Sequence, residues 1–141
     1  MEMRVCPYLM LDGTAQEAAA FYANVFKTKV ESLEFSKDWP QEFDNNIPEG
    51  YEERVVHAHL HIGSTCLMLA DTFPDTSHTA GNTITLMLSM DSGEEARRIY
   101  EQLAAEGEVI LCMTETSFSP AYACVRDKFG IEWQIITPTD S

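Results

Sequence analysis

The chain has 141 residues, of which 45% are hydrophobic and 23% charged, and its 9 Lys and Arg against 23 Asp and Glu give a net charge of −14. These proportions are ordinary for a globular domain and argue against a disordered chain. A strongly acidic surface repels nucleic acid and anionic lipid. No apolar run approaches the roughly 20 residues that cross a bilayer, and the N-terminal residues contain no signal-peptide core. The sequence therefore predicts a cytoplasmic protein that binds neither nucleic acid nor a membrane.

The four cysteines contain no CxxC pair: Cys6, Cys66, Cys112 and Cys124. In a cytoplasmic chain, isolated cysteines of this kind are typical of free thiols and not of a disulfide framework. We expect them to be buried in strands.

A strand followed by an amphipathic helix is predicted near the N-terminus. The strand covers residues 7–12, and Thr14 with Glu17 forms a capping box, in which the hydroxyl and the carboxylate each bond a backbone amide of the first turn. Apolar residues then recur at helical spacing: Ala18, Phe21, Tyr22, Val25 and Phe26.

The same pattern recurs 78 residues later, with a strand at 85–90 and a capping box at Ser92 and Glu95. A second apolar stripe follows: Ala96, Ile99, Tyr100, Leu103 and Ala104. One capping box arises easily by chance, whereas two boxes in register, each followed by a similar stripe, indicate an internal duplication.

Three β-like segments follow each predicted helix, at 28–35, 54–62 and 65–70 in the first copy and at 108–113, 121–126 and 131–137 in the second. Gly63 and Gly130 lie in equivalent turns, where a positive φ is expected. The sequence thus predicts an α+β fold of two βαβββ modules, roughly 1–72 and 82–138, within a single domain spanning 1–141. Because each helix covers only one face of its sheet, we expect the other faces to enclose a ligand cavity between the modules.

Three blocks of residues carry a family resemblance: 7–9 with 21–22, 56–63 with 67–71, and 118–122 with 127–133. On these blocks the chain resembles the vicinal oxygen chelate superfamily, which includes glyoxalase I, extradiol dioxygenases and the bleomycin- and fosfomycin-resistance proteins. It is most similar to the PhnB-like branch, also labelled a 3-demethylubiquinone-9 3-methyltransferase domain. The resemblance implies the glyoxalase/bleomycin resistance/dihydroxybiphenyl dioxygenase-like fold and a homodimer.

The resemblance also implies where a divalent metal would bind. Members of the superfamily use His or carboxylate ligands from the first and last strands of each module, and the matching positions here are Pro7, Leu67 or Met68, Thr85 and Gln134. None of these side chains is a strong metal ligand, so we predict a protein without a metal or another cofactor. The chain also lacks a GxGxxG-like turn, so nothing predicts the nucleotide site that methyl transfer from S-adenosylmethionine usually needs.

Three histidines, His57, His59 and His61, alternate along one predicted strand, so their imidazoles share one face. The intervening residues are apolar and should pack under the helix. One interpretation is a relocated metal site on His57 and His59. Another is that these two side chains line the cavity, with His57 as a general base. A third is that His59 and His61 are only half-exposed strand residues. Of the three, His57 is the one that matches the family motif, so it is the main catalytic candidate.

The remaining candidates are side chains expected to line the cavity. Thr85 and Gln134 would supply polar contacts, Met68 an apolar wall and Phe118 a border. Trp133, the neighbour of Gln134, should face the helix as part of the core.

These residues lead to one main hypothesis and two alternatives. The main hypothesis is metal-free binding of a small organic molecule. The first alternative is a glyoxalase- or dioxygenase-type enzyme with a metal on His57 and His59, and the second is a metal-free acid–base enzyme that uses His57. The long segment 36–53 contains several aromatic residues, and the sequence leaves open whether it is a lid or a contact with a second subunit.

Overall fold

The computed structural model describes residues 3–38, 53–72 and 77–138. The chain divides into two compact units, residues 1–78 and 79–141. The described residues of each unit form one four-stranded mixed sheet and one α-helix, in the order βαβββ. The predicted α+β class and the duplicated pattern are confirmed, while a single domain over 1–141 stays a prediction. None of the helices in the described residues is long and apolar enough to span a membrane.

The first unit contains β1 (Tyr8–Leu11), α1 (Ala15–Val25), β2 (Val30–Phe35), β3 (Val55–Ile62) and β4 (Thr65–Asp71), with a 3₁₀ turn at Ser36–Asp38. Its sheet has the order β1-β4-β3-β2, with β1 parallel to β4 and the other pairs antiparallel. The segment 36–53, predicted as a lid or a subunit contact, lies largely outside the described residues.

The second unit contains β5 (Leu86–Ser89), α2 (Gly93–Ala104), β6 (Glu108–Thr114), β7 (Ala121–Arg126) and β8 (Glu132–Thr137). Its sheet has the matching order β5-β8-β7-β6, with β5 parallel to β8. The predicted strands and helices therefore agree with the observed ones to within one or two residues.

The core of each unit lies between the helix and one face of its sheet. In the first unit, Ala15, Ala18, Ala19, Tyr22 and Val25 of α1 are buried. Small alanine side chains let the helix approach the sheet closely, and the buried sheet residues are large: Leu9, Leu11, Leu60, Leu67 and Leu69. In the second unit, the predicted core position of Trp133 is confirmed, because this side chain is buried with Val125, Ile135 and Leu103.

The two helices begin differently. Ser92 has an extended backbone, and its Oγ accepts a hydrogen bond from the Glu95 amide at 3.1 Å, which confirms the hydroxyl part of the capping box predicted for α2. Thr14 makes no side-chain cap, so the prediction for α1 is wrong. Its φ of −112° and ψ of 9° place it outside the extended conformation of an N-cap. The free amide of Ala15 donates instead to Asp71 Oδ1, at 3.0 Å.

The number of residues that separates equivalent positions of the two copies differs by one between the first strand and the helix. Tyr8 lies opposite Met68 of β4, and Met87 lies opposite Gln134 of β8. Because Met68 and Gln134 are the matching positions of the last strands, Tyr8 and Met87 are equivalent. The helix caps keep the offset of 78, and the first unit therefore has one extra residue between strand and helix. Gly13, with a φ of +88°, lies in that connection. The predicted pairing of Pro7 with Thr85 as equivalent strand positions is corrected to Tyr8 with Met87.

Two further predictions concern the backbone conformation of the turn glycines and the state of the cysteines. Gly63 and Gly130 have φ values of +58° and +90°, as expected for these hairpin turns. All four cysteines are free thiols, as predicted. The prediction that they are buried in strands is wrong in part, because three are half-buried, Cys6 lies before β1, and Cys112 is exposed on β6, an edge strand.

Candidate functional site

Each sheet has a face that its own helix does not cover, here called the open face. In the first unit, the register aligns Tyr8 of β1, Met68 of β4 and His59 of β3 in one row across the sheet. Strand alternation puts His57 on the same face as His59. The buried Ala58 between them faces the helix. These four open-face residues, Tyr8, His57, His59 and Met68, form the histidine cluster.

The imidazoles of His57, His59 and His61 follow one another along β3, tilted or edge-on to each other. The ring centroids of His57 and His59 are 5.7 Å apart, and those of His59 and His61 are 6.0 Å apart. This spacing confirms the prediction that the three rings share one face. His57 and His59 are half-buried, whereas His61 next to the turn is exposed.

The phenol of Tyr8 joins the histidine cluster through a hydrogen bond. Its Oη lies 3.3 Å from His57 Nδ1, and the two ring centroids are 6.0 Å apart. Burial raises the pKa of the Tyr8 hydroxyl, because an apolar environment disfavours the phenolate. The hydroxyl therefore keeps its proton throughout the physiological pH range.

The open face of the second unit carries a chain of hydrogen bonds centred on Gln134. Tyr122 Oη donates to Gln134 Oε1 at 2.7 Å, and Gln134 Nε2 donates to Thr85 Oγ1 at 2.9 Å. Cys124 Sγ donates to Tyr122 Oη at 3.4 Å. The structure thus brings the predicted residues Thr85 and Gln134 together. We call Thr85, Tyr122, Cys124, Gln134 and Phe118 the glutamine cluster.

Phe118 is the exposed aromatic member of the glutamine cluster. Its ring packs edge-on against Tyr122, with centroids 5.1 Å apart, and the side chain is 52% exposed. The contact with the Cys124 thiol, together with burial, raises the pKa of the Tyr122 hydroxyl. This hydroxyl is therefore also a permanent donor near neutral pH.

The positions that the superfamily resemblance assigns to a metal do not suit a divalent ion in this chain. Met68 offers a thioether and its partner Tyr8 a protonated phenol. The Gln134 amide oxygen already accepts from Tyr122. Hard and borderline divalent ions prefer carboxylate and imidazole ligands. In the part of the chain that the structure describes, no three His, Cys, Asp or Glu side chains are grouped to hold an ion.

Tyr8 and Tyr122 contact the candidate residues, and neither was singled out from the sequence. Both lie in the family blocks, and Tyr8 alternates with the buried Leu9, which places it on the open face. The alternation was a usable signal for Tyr8. The hydrogen-bond partners were not predictable, because the Tyr8–His57 contact joins residues 49 apart in sequence.

Several residues of the family blocks have structural roles instead. The buried Asp127 carboxylate accepts hydrogen bonds from the Phe129 and Ile131 amides and from Trp133 Nε1, at 2.9, 3.1 and 2.8 Å. Ser119, which is fully buried, joins the segment before β7 to the end of β8 through Thr137. These contacts fix the turns around the glutamine cluster.

Known proteins resemble this chain over almost its whole length. A family model described as 3-demethylubiquinone-9 3-methyltransferase matches residues 3–136, which include both clusters. The chain belongs to this family. The PhnB-like assignment made from the sequence is thereby confirmed. Protein YjdN of Escherichia coli strain K12 is 29% identical to this family member over 140 residues, covering 94% of each chain.

Solved structures place the family member in the glyoxalase/bleomycin resistance fold. Protein PA1353 from Pseudomonas aeruginosa is 26% identical with a TM-score of 0.88, over 99% of this chain and 100% of that one. The PhnB protein from Bacillus cereus is 25% identical with a TM-score of 0.80, over 96% and 99%. The fosfomycin resistance protein FosX from Listeria monocytogenes, 11% identical with a TM-score of 0.67 over 99% and 95%, shares the fold alone.

Proposed function

We propose that this protein binds a small organic molecule on the open faces of its sheets, without a metal at the positions that the superfamily uses. The proposal is supported by the kinds of side chain that lie on these faces. Large apolar side chains are exposed there, with Tyr8 at 45% and Met87 at 61%, beside polar groups that are already held by hydrogen bonds. Apolar walls with a few fixed polar groups are typical of small-molecule sites.

Methyl transfer, which the family's name implies, receives no support from the connections between strand and helix. Residues 12–14 and 90–92 follow β1 and β5, and only Gly13 among them is a glycine. A nucleotide site of the usual kind needs several backbone amides of a glycine-rich turn at this point. We therefore favour binding of a small molecule, or chemistry on it by residues of one of the clusters.

Ligand-dependent stabilisation tests the proposal. We expect members of a panel of small aromatic compounds and thiol adducts to raise the melting temperature, since a ligand at 100 times its Kd stabilises the native state by about 2.7 kcal/mol. Met87→Asp should abolish the shift while leaving the unliganded protein folded, because Met87 is exposed. Glu101→Ala, on the exposed surface of α2, is the control. An unchanged shift in Met87→Asp would count against the open face as the binding surface.

A metal-dependent enzyme of the glyoxalase or dioxygenase type is the second candidate. It is favoured by the adjacent imidazoles of His57 and His59, whose centroids are 5.7 Å apart. Two imidazoles in i, i+2 positions can share one ion and leave its other positions open. Metal analysis of the freshly purified protein separates the candidates. Stoichiometric metal that is lost from His57→Ala and His59→Ala but kept in His61→Ala would overturn the metal-free proposal.

Acid–base catalysis by His57 without a metal is a variant of the main proposal. The hydrogen bond from Tyr8 would orient the ring, and an imidazole can both accept and donate a proton. If a turnover assay is found, His57→Gln should lower kcat much more than KM. A change confined to KM would assign His57 to binding.

We also propose a homodimer, as the resemblance implies. Support comes from β6, an edge strand on which Val109, Ile110 and Leu111 are all more than 40% exposed. Exposed apolar edges are commonly covered by a partner. Light scattering should give twice the chain mass of 15.9 kDa. Ile110→Lys should return the protein to a monomer if β6 is the contact.

A further inference from the structure

The sheet register of the first unit relates two cysteines that are far apart in sequence. β1 runs parallel to β4, with Tyr8 paired to Met68, and the same interval separates every pair along these two strands. This interval also separates Cys6 from Cys66. The register, continued by two residues from Tyr8 towards the N-terminus, therefore places Cys6 opposite Cys66.

The backbone contact between the two strands extends beyond the first residue of β1. The carbonyl of Pro7 accepts a hydrogen bond from the Met68 amide at 3.1 Å. The next bond of a parallel ladder would run from the amide of residue 7 to the Cys66 carbonyl, but proline has no N–H to donate. The ladder thus ends at Pro7 for a chemical reason, and Cys6 is the next residue along the chain.

Strand alternation directs both thiols to the open face of the first unit. Cys6 shares a side with Tyr8, and Cys66 shares a side with Met68. Neighbouring strands lie about 4.7–4.9 Å apart, and the Cα atoms of a disulfide are about 4.4–6.8 Å apart. Both cysteines are free thiols, and both are half-buried, so a small reagent can reach them.

We propose that Cys6 and Cys66 form a reversible disulfide by exchange with a low-molecular-weight disulfide such as oxidised glutathione. The thiolate of one cysteine attacks a sulfur of the small disulfide and displaces one thiolate from it. The thiolate of the second cysteine then attacks the mixed disulfide, forms the Sγ–Sγ bond and displaces the other thiolate. The two protons lost by the cysteines pass through solvent to the displaced thiolates, so the small disulfide is reduced to two thiols.

The new bond would attach the residues before β1 to the sheet. In the reduced protein Met3 and Val5 are 83% and 95% exposed, and Pro7 cannot extend the ladder towards them. A covalent bond from Cys6 to β4 supplies the attachment that the missing N–H does not. The redox state of the pair thereby controls how firmly the N-terminal residues are held beside the open face. This inference does not rest on the proposed function, because it needs no ligand.

Exchange on the folded, full-length chain tests the proposal. Because the exposed Cys112 can itself take up glutathione, the experiment is done in a Cys112→Ser background. We expect oxidised glutathione to lower the intact mass by two hydrogens and to join the Cys6 and Cys66 peptides in a non-reducing digest. Cys6→Ser and Cys66→Ser should instead hold glutathione on the remaining cysteine of the pair. Cys124→Ser, the matched control in the second unit, should still form the bond.

Several results would overturn the proposal. One is a disulfide that includes Cys124, and another is a Cys6–Cys66 bond that forms only in urea. Glutathione that stays on Cys6 or Cys66 without an internal bond would also do so. Cys6→Ser keeps the test usable if Cys66→Ser does not fold, since Cys6 precedes β1. We expect ¹⁵N relaxation of Val5 to show less fast motion after oxidation, and an unchanged relaxation would overturn the attachment.

Discussion

Asp71 shows how a single buried side chain can hold two elements together. It is 6% exposed, and its two carboxylate oxygens accept from the amide of Ala15, at the start of α1, and from that of Val55, at the start of β3. The distances are 3.0 and 2.9 Å. Asp71 thus supplies the cap that Thr14 does not provide, and its negative charge lies at the positive end of the helix dipole.

Replacement of Asp71 should therefore be costly. Asp71→Ala leaves two amides without partners, and we expect the free energy of unfolding to fall by about 2–5 kcal/mol in urea denaturation. Asp71→Asn keeps one acceptor oxygen and should lose less, which keeps the test usable if the alanine variant does not fold. Asp91→Ala, at an exposed position between β5 and α2, is the control. Equal stability of Asp71→Ala and Asp91→Ala would contradict the bridging role.

Asp12 forms an ion pair that should make stability depend on pH. Its Oδ1 accepts from Arg54 at 2.6 Å, and this hydrogen bond holds the pKa of the Asp12 carboxyl below its usual range. Because the folded-state pKa is depressed, the contribution is complete above the unfolded pKa of about 4 and is lost as the pH falls through the folded pKa.

We expect Asp12→Asn to be less stable than the unaltered protein at pH 7, by a small amount because Asp12 is exposed. The difference should shrink below about pH 4 as the carboxylate of the unaltered protein takes up a proton. Urea denaturation at pH 7 and pH 3 measures it, with Asp91→Asn as the control. A difference that grows at acid pH would contradict the ion-pair assignment.

At the scale of the elements, each helix packs on one face of its own sheet, but the two N-termini are capped in different ways. α2 is capped locally by Ser92, whereas α1 depends on Asp71 from a strand 56 residues away. A local cap forms with the helix, while a distant cap forms only once the sheet is in place. The duplicated sequence pattern conceals this difference, because both copies contain a hydroxyl residue with a glutamate three residues later.

A matched pair of substitutions tests the difference between the helices. Ser92→Ala should lower the free energy of unfolding by about 1 kcal/mol, the usual effect of losing an N-cap. Thr14→Ala should change it by less than about 0.5 kcal/mol, since Thr14 makes no side-chain cap and is exposed. Denaturant melts of both variants provide the measurement, and equal losses would mean that Thr14 caps α1 after all.

At the scale of the whole molecule, charge is the dominant feature. A net charge of −14 on 141 residues produces self-repulsion that salt screens. We expect the melting temperature to rise between 0.05 and 0.5 M sodium chloride at pH 7. The increase should disappear near the isoelectric point of about 4.4, where the net charge is close to zero. A salt-independent melting temperature at pH 7 would show that local ion pairs offset the repulsion.

The sequence alone determined the α+β class, the duplicated βαβββ order, the bounds of most strands and the shared face of His57 and His59. Apolar periodicity fixes these, because strand alternation and helical spacing are local properties of the chain. Only the tertiary structure decided the partners of Tyr8, Asp71 and Gln134. Those contacts depend on which strands pair and in what register, and the extra residue at Gly13 shifts the register by one between the copies.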